Sequence, residues 1–126
     1  MAARLAVEVL IEICHTFQMT TKATDDPILR RFRTAVNQIY GGRVARVVLF
    51  GSRARGDARA DSDYDIAVFL REMPDRFAEL HRLADVSTAI LYDTGEVVNA
   101  LPYRADSYND PGMPLMHEIR REGVDL

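Results

Sequence analysis

The sequence predicts a small α/β domain in which helices cover at least one face of a sheet, and three observations predict it. Val44 to Phe50 and Tyr64 to Leu70 are apolar, β-branched runs of strand length. Segments with helical apolar spacing precede and follow this pair. A further short apolar run comes after Gly95. The resulting order is helix, strand, strand, helix, strand, helix, which requires a layered α/β arrangement.

Each element has its own signal. Asp26 before Pro27 reads as an N-cap with proline at the first helical position. Ile28, Phe32, Ala35, Val36 and Ile39 then line one face, and Gly41-Gly42 ends the helix. Arg30, Arg31 and Arg33 fall mostly on the other side, as a solvated face or alternatively a partner-binding patch. Pro74 opens a second helix running to about Tyr92, with Phe77, Leu80, Ala84, Ser87 and Leu91 at helical spacing. Gly95 breaks it, and Glu96 to Tyr103 is expected as the third strand. A loop from Asp106 to Pro114 precedes a last short helix, Leu115 to Arg121.

Composition narrows the class. At 126 residues the chain is one domain by length, 48% apolar and 28% charged, as ordinary soluble globular proteins are. A net charge of −3 argues against a general nucleic-acid binder, which would normally be basic. The single cysteine, Cys14, forms no internal disulfide and no multi-cysteine zinc site, in keeping with a cytoplasmic location. The N-terminal run carries Glu8 and Glu12 and lacks a small-residue cleavage site, so neither a signal peptide nor a membrane span is expected. Leu5, Val9, Ile13 and Phe17 recur every four residues, which reads as an amphipathic helix. Met19 opens a stretch that looks like a start in its own right. The expected division is therefore an N-terminal helical extension, residues 1–18, and a core domain, residues 19–126.

The chemistry concentrates between Gly51 and Asp65, where three arginines and four aspartates fall within fifteen residues. Asp63 and Asp65 stand two apart at the start of a strand, so both carboxylates project from one face. Two carboxylates that close repel unless a cation sits between them. Hard ions such as Mg²⁺ take oxygen ligands and keep places open for substrate phosphates. At the other end, Gly51 lets a phosphate approach the backbone, and Ser52 offers a hydroxyl and an amide. Arg53 and Arg55 add candidate charge-assisted bonds to a polyphosphate, and Gly56 permits the following turn. Gly-Ser or D-x-D alone is weak, since turns and solvated strand ends produce both. From average residue frequencies the spaced combination should arise by chance in such a chain roughly once in a thousand.

GSRARG followed by SDYD, spaced G-S-x10-D-x-D, resembles the minimal nucleotidyltransferases of the polymerase-beta superfamily. The resemblance runs from about Pro27 to the end, including the terminal PLMHEIRREGV, and is greatest to the MNT antitoxins encoded beside HEPN-domain ribonuclease toxins. It implies a mixed sheet of about three to four strands covered by helices. It implies transfer of AMP from ATP to a hydroxyl with release of pyrophosphate, the hydroxyl being a tyrosine of the toxin. Asp63 and Asp65 would hold two Mg²⁺ ions, one activating the hydroxyl and one neutralising the leaving pyrophosphate. Gly51, Ser52 and Arg53 would hold the β- and γ-phosphates. Family members usually add a third carboxylate from the next strand. Here that strand reads EVVNALPY, where Glu96 is a candidate metal ligand and Asn99 lies near the expected aspartate. An inactive antitoxin that acts by direct binding, and an aminoglycoside-type small-molecule transferase, are the alternatives. No membrane or direct nucleic-acid partner is expected. Asp57, Arg59 and Asp61 read as a solvated loop, and His15, His81 and His117 as surface histidines.

Overall fold

The computed structural model describes residues 25–126, so the expected extension at residues 1–18 lies outside the described residues. Among the described residues four strands form one mixed sheet, in spatial order Val98–Arg104 (β3), Tyr64–Leu70 (β2), Val44–Phe50 (β1) and Val124–Asp125 (β4). Strands β1 (Val44–Phe50) and β2 (Tyr64–Leu70) pair antiparallel, with a bulge between Val44 and Arg46 and with Phe50 opposite Asp65. Strand β3 (Val98–Arg104) runs parallel to β2, with Asn99 opposite Asp65. A parallel neighbour needs a crossover, and the long helix between β2 and β3 provides it. Strand β4 (Val124–Asp125), which the sequence pattern did not reveal, adds two residues along β1.

One face of the sheet is covered by α1 (Pro27–Tyr40) and by α3 (Arg76–Thr94); the four-residue α2 (Ser52–Arg55) follows β1. Asp26 caps α1 as expected, its Oδ1 accepting from the Ile28 N–H at 2.8 Å. Asp75 rather than Pro74 starts α3, its Oδ1 accepting from the Ala78 N–H at 3.3 Å. Leu29, Phe32, Val36, Leu83 and Ile90 from these helices bury Val47, Leu49, Ile66, Val68 and Leu70 of the sheet. The opposite face is covered by α4 (Pro114–Glu122), whose Met116 and Ile119 pack on Val48, Ala67 and Phe69. Tyr108 closes that layer with its ring edge-on to Phe69, centroids 5.4 Å apart.

Two expectations about helix faces need correction. The buried side of α1 is Leu29, Phe32, Val36 and Tyr40, leaving Ile39 exposed. On α3 the expected stripe turns away from the core: Phe77 is 77% exposed and Leu91 44%. The helix instead buries Glu79, Leu83 and Ile90. Glu79, only 3% exposed, is tolerated there because Arg82 lies 2.8 Å and Arg43 3.8 Å from its carboxylate. A periodicity scan counts Glu79 as polar, and so rotates the apparent apolar face. The third strand also begins two residues later than expected, leaving Glu96 and Val97 ahead of the ladder.

Candidate active site

The β1–β2 register determines the site. Because Phe50 lies opposite Asp65, the residue after β1 sits directly beside that carboxylate. Gly51 is that residue. Its φ of 77° and ψ of −158° belong to backbone territory almost confined to glycine. A Cβ at this position would stand 2.6 Å from Asp65 Oδ2. Gly51 is thus required both by its conformation and by the closeness of the acid. The Gly51 carbonyl accepts from Ala54 and Arg55 at 3.1 and 3.0 Å, which winds α2. The N–H groups of Ser52 and Arg53, first in that turn, are not consumed by it, as at any helix start. Gly56, at φ 84°, closes the turn with its N–H on Ser52 O.

Asp63, Asp65 and Asn99 converge on the sheet face that α4 only partly covers. The Asn99 Nδ2 donates to Asp63 Oδ2 at 3.0 Å and approaches Asp65 Oδ1 at 3.5 Å. The side-chain amide therefore bridges the two acids, where positive charge would otherwise be needed. Among the described residues no third histidine, cysteine or carboxylate joins them. Two carboxylates and a side-chain amide give an all-oxygen ligand set once the amide presents its oxygen, and Asp63 and Asn99 are exposed. Both features suit a hard divalent cation.

In the structure the remaining predicted residues make contacts within the chain. Arg53 donates through Nε and Nη2 to the Ser62 carbonyl at 2.9 and 2.8 Å. Its guanidinium lies 3.9 Å above the Tyr64 ring and 3.6 Å from Glu96 Oε2. Tyr64 belongs to the α1–α3 face, so Arg53 and Glu96 meet on the side of the sheet away from the acids. Glu96 is an ion-pair partner of Arg53, not a third member of the Asp63–Asp65 group. Arg55 pairs with Asp57 at 3.3 Å and Glu122 at 3.2 Å, tying α2 to the end of α4. Hydrogen bonding to Asp57 pushes its pKa still higher. Arg53 thus ties the loop between Gly56 and Ser62 to α2, and Ser62 Oγ closes the loop on the Arg59 N–H at 2.8 Å.

Sequence reasoning missed one supporting pair. The Tyr64 hydroxyl donates to Asp26 Oδ2 at 2.7 Å, joining the start of α1 to the start of β2 across 38 positions. Burial first, and then Asp26, push the Tyr64 pKa well above its ordinary value of 10. The tyrosine inside SDYD alternates with the two aspartates and so faces the core, a period-2 signal that was available in the sequence.

With this geometry in view, the comparisons are coherent. Residues 29–108 match the family model described as nucleotidyltransferase domain. Three relatives from Methanocaldococcus jannaschii carry the name protein adenylyltransferase. One is 31% identical over 85 residues, covering 68% of this chain and 79% of the relative. Another is 40% identical over 47 residues, 37% of this chain and 48% of the relative. A solved minimal nucleotidyltransferase superposes with a TM-score of 0.51 at 29% identity, covering 77% of this chain and 89% of the other. A chain of a toxin–antitoxin complex crystallised with AMP-PNP superposes at 0.55 with 17% identity, over 76% and 69% respectively. The fold is thus shared with a chain of a toxin–antitoxin complex, and the sequence match is to relatives that carry the adenylyltransferase name. The family match spans the Gly51-Ser52 turn together with Asp63 and Asp65, and the chain belongs to the nucleotidyltransferase domain family.

Proposed function

We propose that the chain is an adenylyltransferase antitoxin that moves AMP from ATP to a hydroxyl, a tyrosine, of a cognate HEPN-type ribonuclease toxin. The observation that carries this is the contact of Gly51 with Asp65. It sets a turn able to admit phosphate against a pair of carboxylates on the adjacent strand. The names of the relatives support protein as the acceptor class, and the toxin–antitoxin neighbour supports the kind of partner.

The roles follow from position. The Gly51-Ser52 turn, whose first amides its own helix does not consume, lies where it would receive the β- and γ-phosphates. Asp63 and Asp65 would hold Mg²⁺, with the Asn99 side chain beside them. Bound there, the ion would neutralise the triphosphate and ease ionisation of the attacking hydroxyl. The hydroxyl oxygen bonds to the α-phosphorus, and the α–β bridging P–O bond breaks. Pyrophosphate leaves with that electron pair, and the hydroxyl proton passes to water. Arg53 contributes by holding the loop before Asp63.

Asn99 favours a second reading, in which transfer is weak and neutralisation rests on direct contact with the toxin. A neutral amide in place of a third acid offers less charge to a cation on the acceptor side. One experiment separates the two. The chain is incubated with Mg²⁺, ATP and a HEPN protein encoded beside it, and the partner's intact mass is measured. AMP-sized increments that vanish with Asp63→Ala and Asp65→Ala support the enzyme. A tight complex without mass change supports contact alone. Transfer retained in either variant refutes the assignment of the acids.

A further inference from the structure

Among the described residues strand β3 pairs with β2 alone, which leaves its other edge free. The Tyr64 N–H donates to Val97 O at 2.9 Å. In a parallel ladder alternate residues bond to the same neighbour, so Val97, Asn99 and Leu101 turn their backbone groups to β2. Val98, Ala100 and Pro102 turn theirs outward. Pro102 fits this assignment, because a strand proline is confined to positions that donate nothing to the ladder. Two outward N–H groups, those of Val98 and Ala100, therefore lie next to Asn99, within the reach of the candidate site.

A groove of about 670 Å³ runs beside this edge, between β3 and α3. Phe77, Leu80, Ala84 and the polar His81 line it from the helix, and Ala100 and Leu101 from the strand; among the described residues no carboxylate, lysine or arginine borders it. This is the apolar stripe of α3 that faces away from the core, where Phe77 is 77% exposed. Side chains along β3 alternate between two destinations. Val98 and Ala100 face the α3 side, whereas Asn99 faces Asp63 and Asp65. A strand added to this edge would alternate in the same way.

The approach of the acceptor follows from in-line displacement. Phosphates held at Gly51-Ser52 would occupy the β1 flank of the two acids, so the acceptor would arrive from the opposite flank, which is β3. We propose that the free edge of β3, backed by the α3 groove, docks an extended segment of a partner protein whose acceptor residue stands between two apolar residues. The acceptor side chain points toward Asn99, and its two neighbours enter the groove. This rests on the adenylyltransferase reading and specifies the local chemistry of its acceptor.

The probes are two synthetic peptides with one tyrosine each, flanked by valines in one and by aspartates in the other. Amide NMR of the ¹⁵N-labelled full chain reads binding without requiring transfer. The expected result is valine-flanked binding at least tenfold tighter than aspartate-flanked, with shifts centred on Val98, Ala100 and Ala84. Ala84→Arg fills the exposed groove, and Ala100→Pro removes an outward N–H while sparing the β2 ladder. Each should abolish the peptide shifts and leave Mg²⁺–ATP binding by calorimetry unchanged. Equal affinity for both peptides, no binding of either, or shifts mapping away from β3 would overturn the proposal. Failure of the wild-type chain to bind Mg²⁺–ATP would count against the transferase reading instead, and the peptide result would stand by itself.

Discussion

Replacing Gly51 by alanine probes the centre of the site most directly. Two costs add. The backbone at φ 77°, ψ −158° is strained for any residue with a Cβ, at roughly 1–3 kcal/mol. The new methyl would also stand 2.6 Å from Asp65 Oδ2, so the carboxylate must move. Removing the carboxylate relieves only the second cost. The nearest remaining Asp65 atom would be its Cβ at 3.5 Å, an ordinary contact. A double-mutant cycle with Asp65→Ala should therefore give a coupling of about 1 kcal/mol, with Gly51→Ala less costly in the Asp65→Ala background. In thermal melts Gly51→Ala alone should lower Tm by about 4 °C for each kcal/mol lost. Calorimetry should show Mg²⁺–ATP binding weakened at least tenfold. Additive losses, or a Gly51→Ala protein as stable as the parent, would refute the claim that glycine is needed here because the acid is so close.

Other consequences are equally accessible. Asn99→Asp places a third carboxylate beside Asp63 and Asp65, so the cation-free protein should melt lower while Mg²⁺ binds about tenfold tighter. A magnesium titration of Tm in both proteins checks this, and a loss of Mg²⁺ response would contradict it. Tyr64→Phe removes the hydrogen bond to Asp26 and should cost about 1.5–3 kcal/mol, read by urea denaturation. The folded-state pKa of Tyr64 is raised, so its contribution is complete below the unfolded value of 10 and is lost as pH climbs beyond it. Stability should accordingly fall above about pH 10, less steeply in Tyr64→Phe; an identical slope in both would contradict the linkage.

The elements of this fold were legible in the chain because their signals are local. Asp26-Pro27, Gly95 and the runs Val44–Phe50 and Tyr64–Leu70 each declare a boundary within a few residues. Strand β4 was not, since two residues make no pattern until β1 lies beside them. The rotation of α3 was hidden for a related reason. Glu79 reads as a surface acid until Arg43, on a distant connection, and Arg82 are brought to it.

The same division holds at the site. Sequence alone determined that a Gly-Ser turn and paired aspartates end and begin successive strands, because spacing and strand periodicity are properties of neighbours along the chain. The tertiary structure decided how the charges are shared out. Arg53 serves Ser62, Tyr64 and Glu96; Arg55 serves Asp57 and Glu122; and Asn99, not Glu96, stands with Asp63 and Asp65. Long charged side chains take whichever partner the fold brings within about 4 Å, and most of those partners are set by strand register and face rather than by distance along the chain.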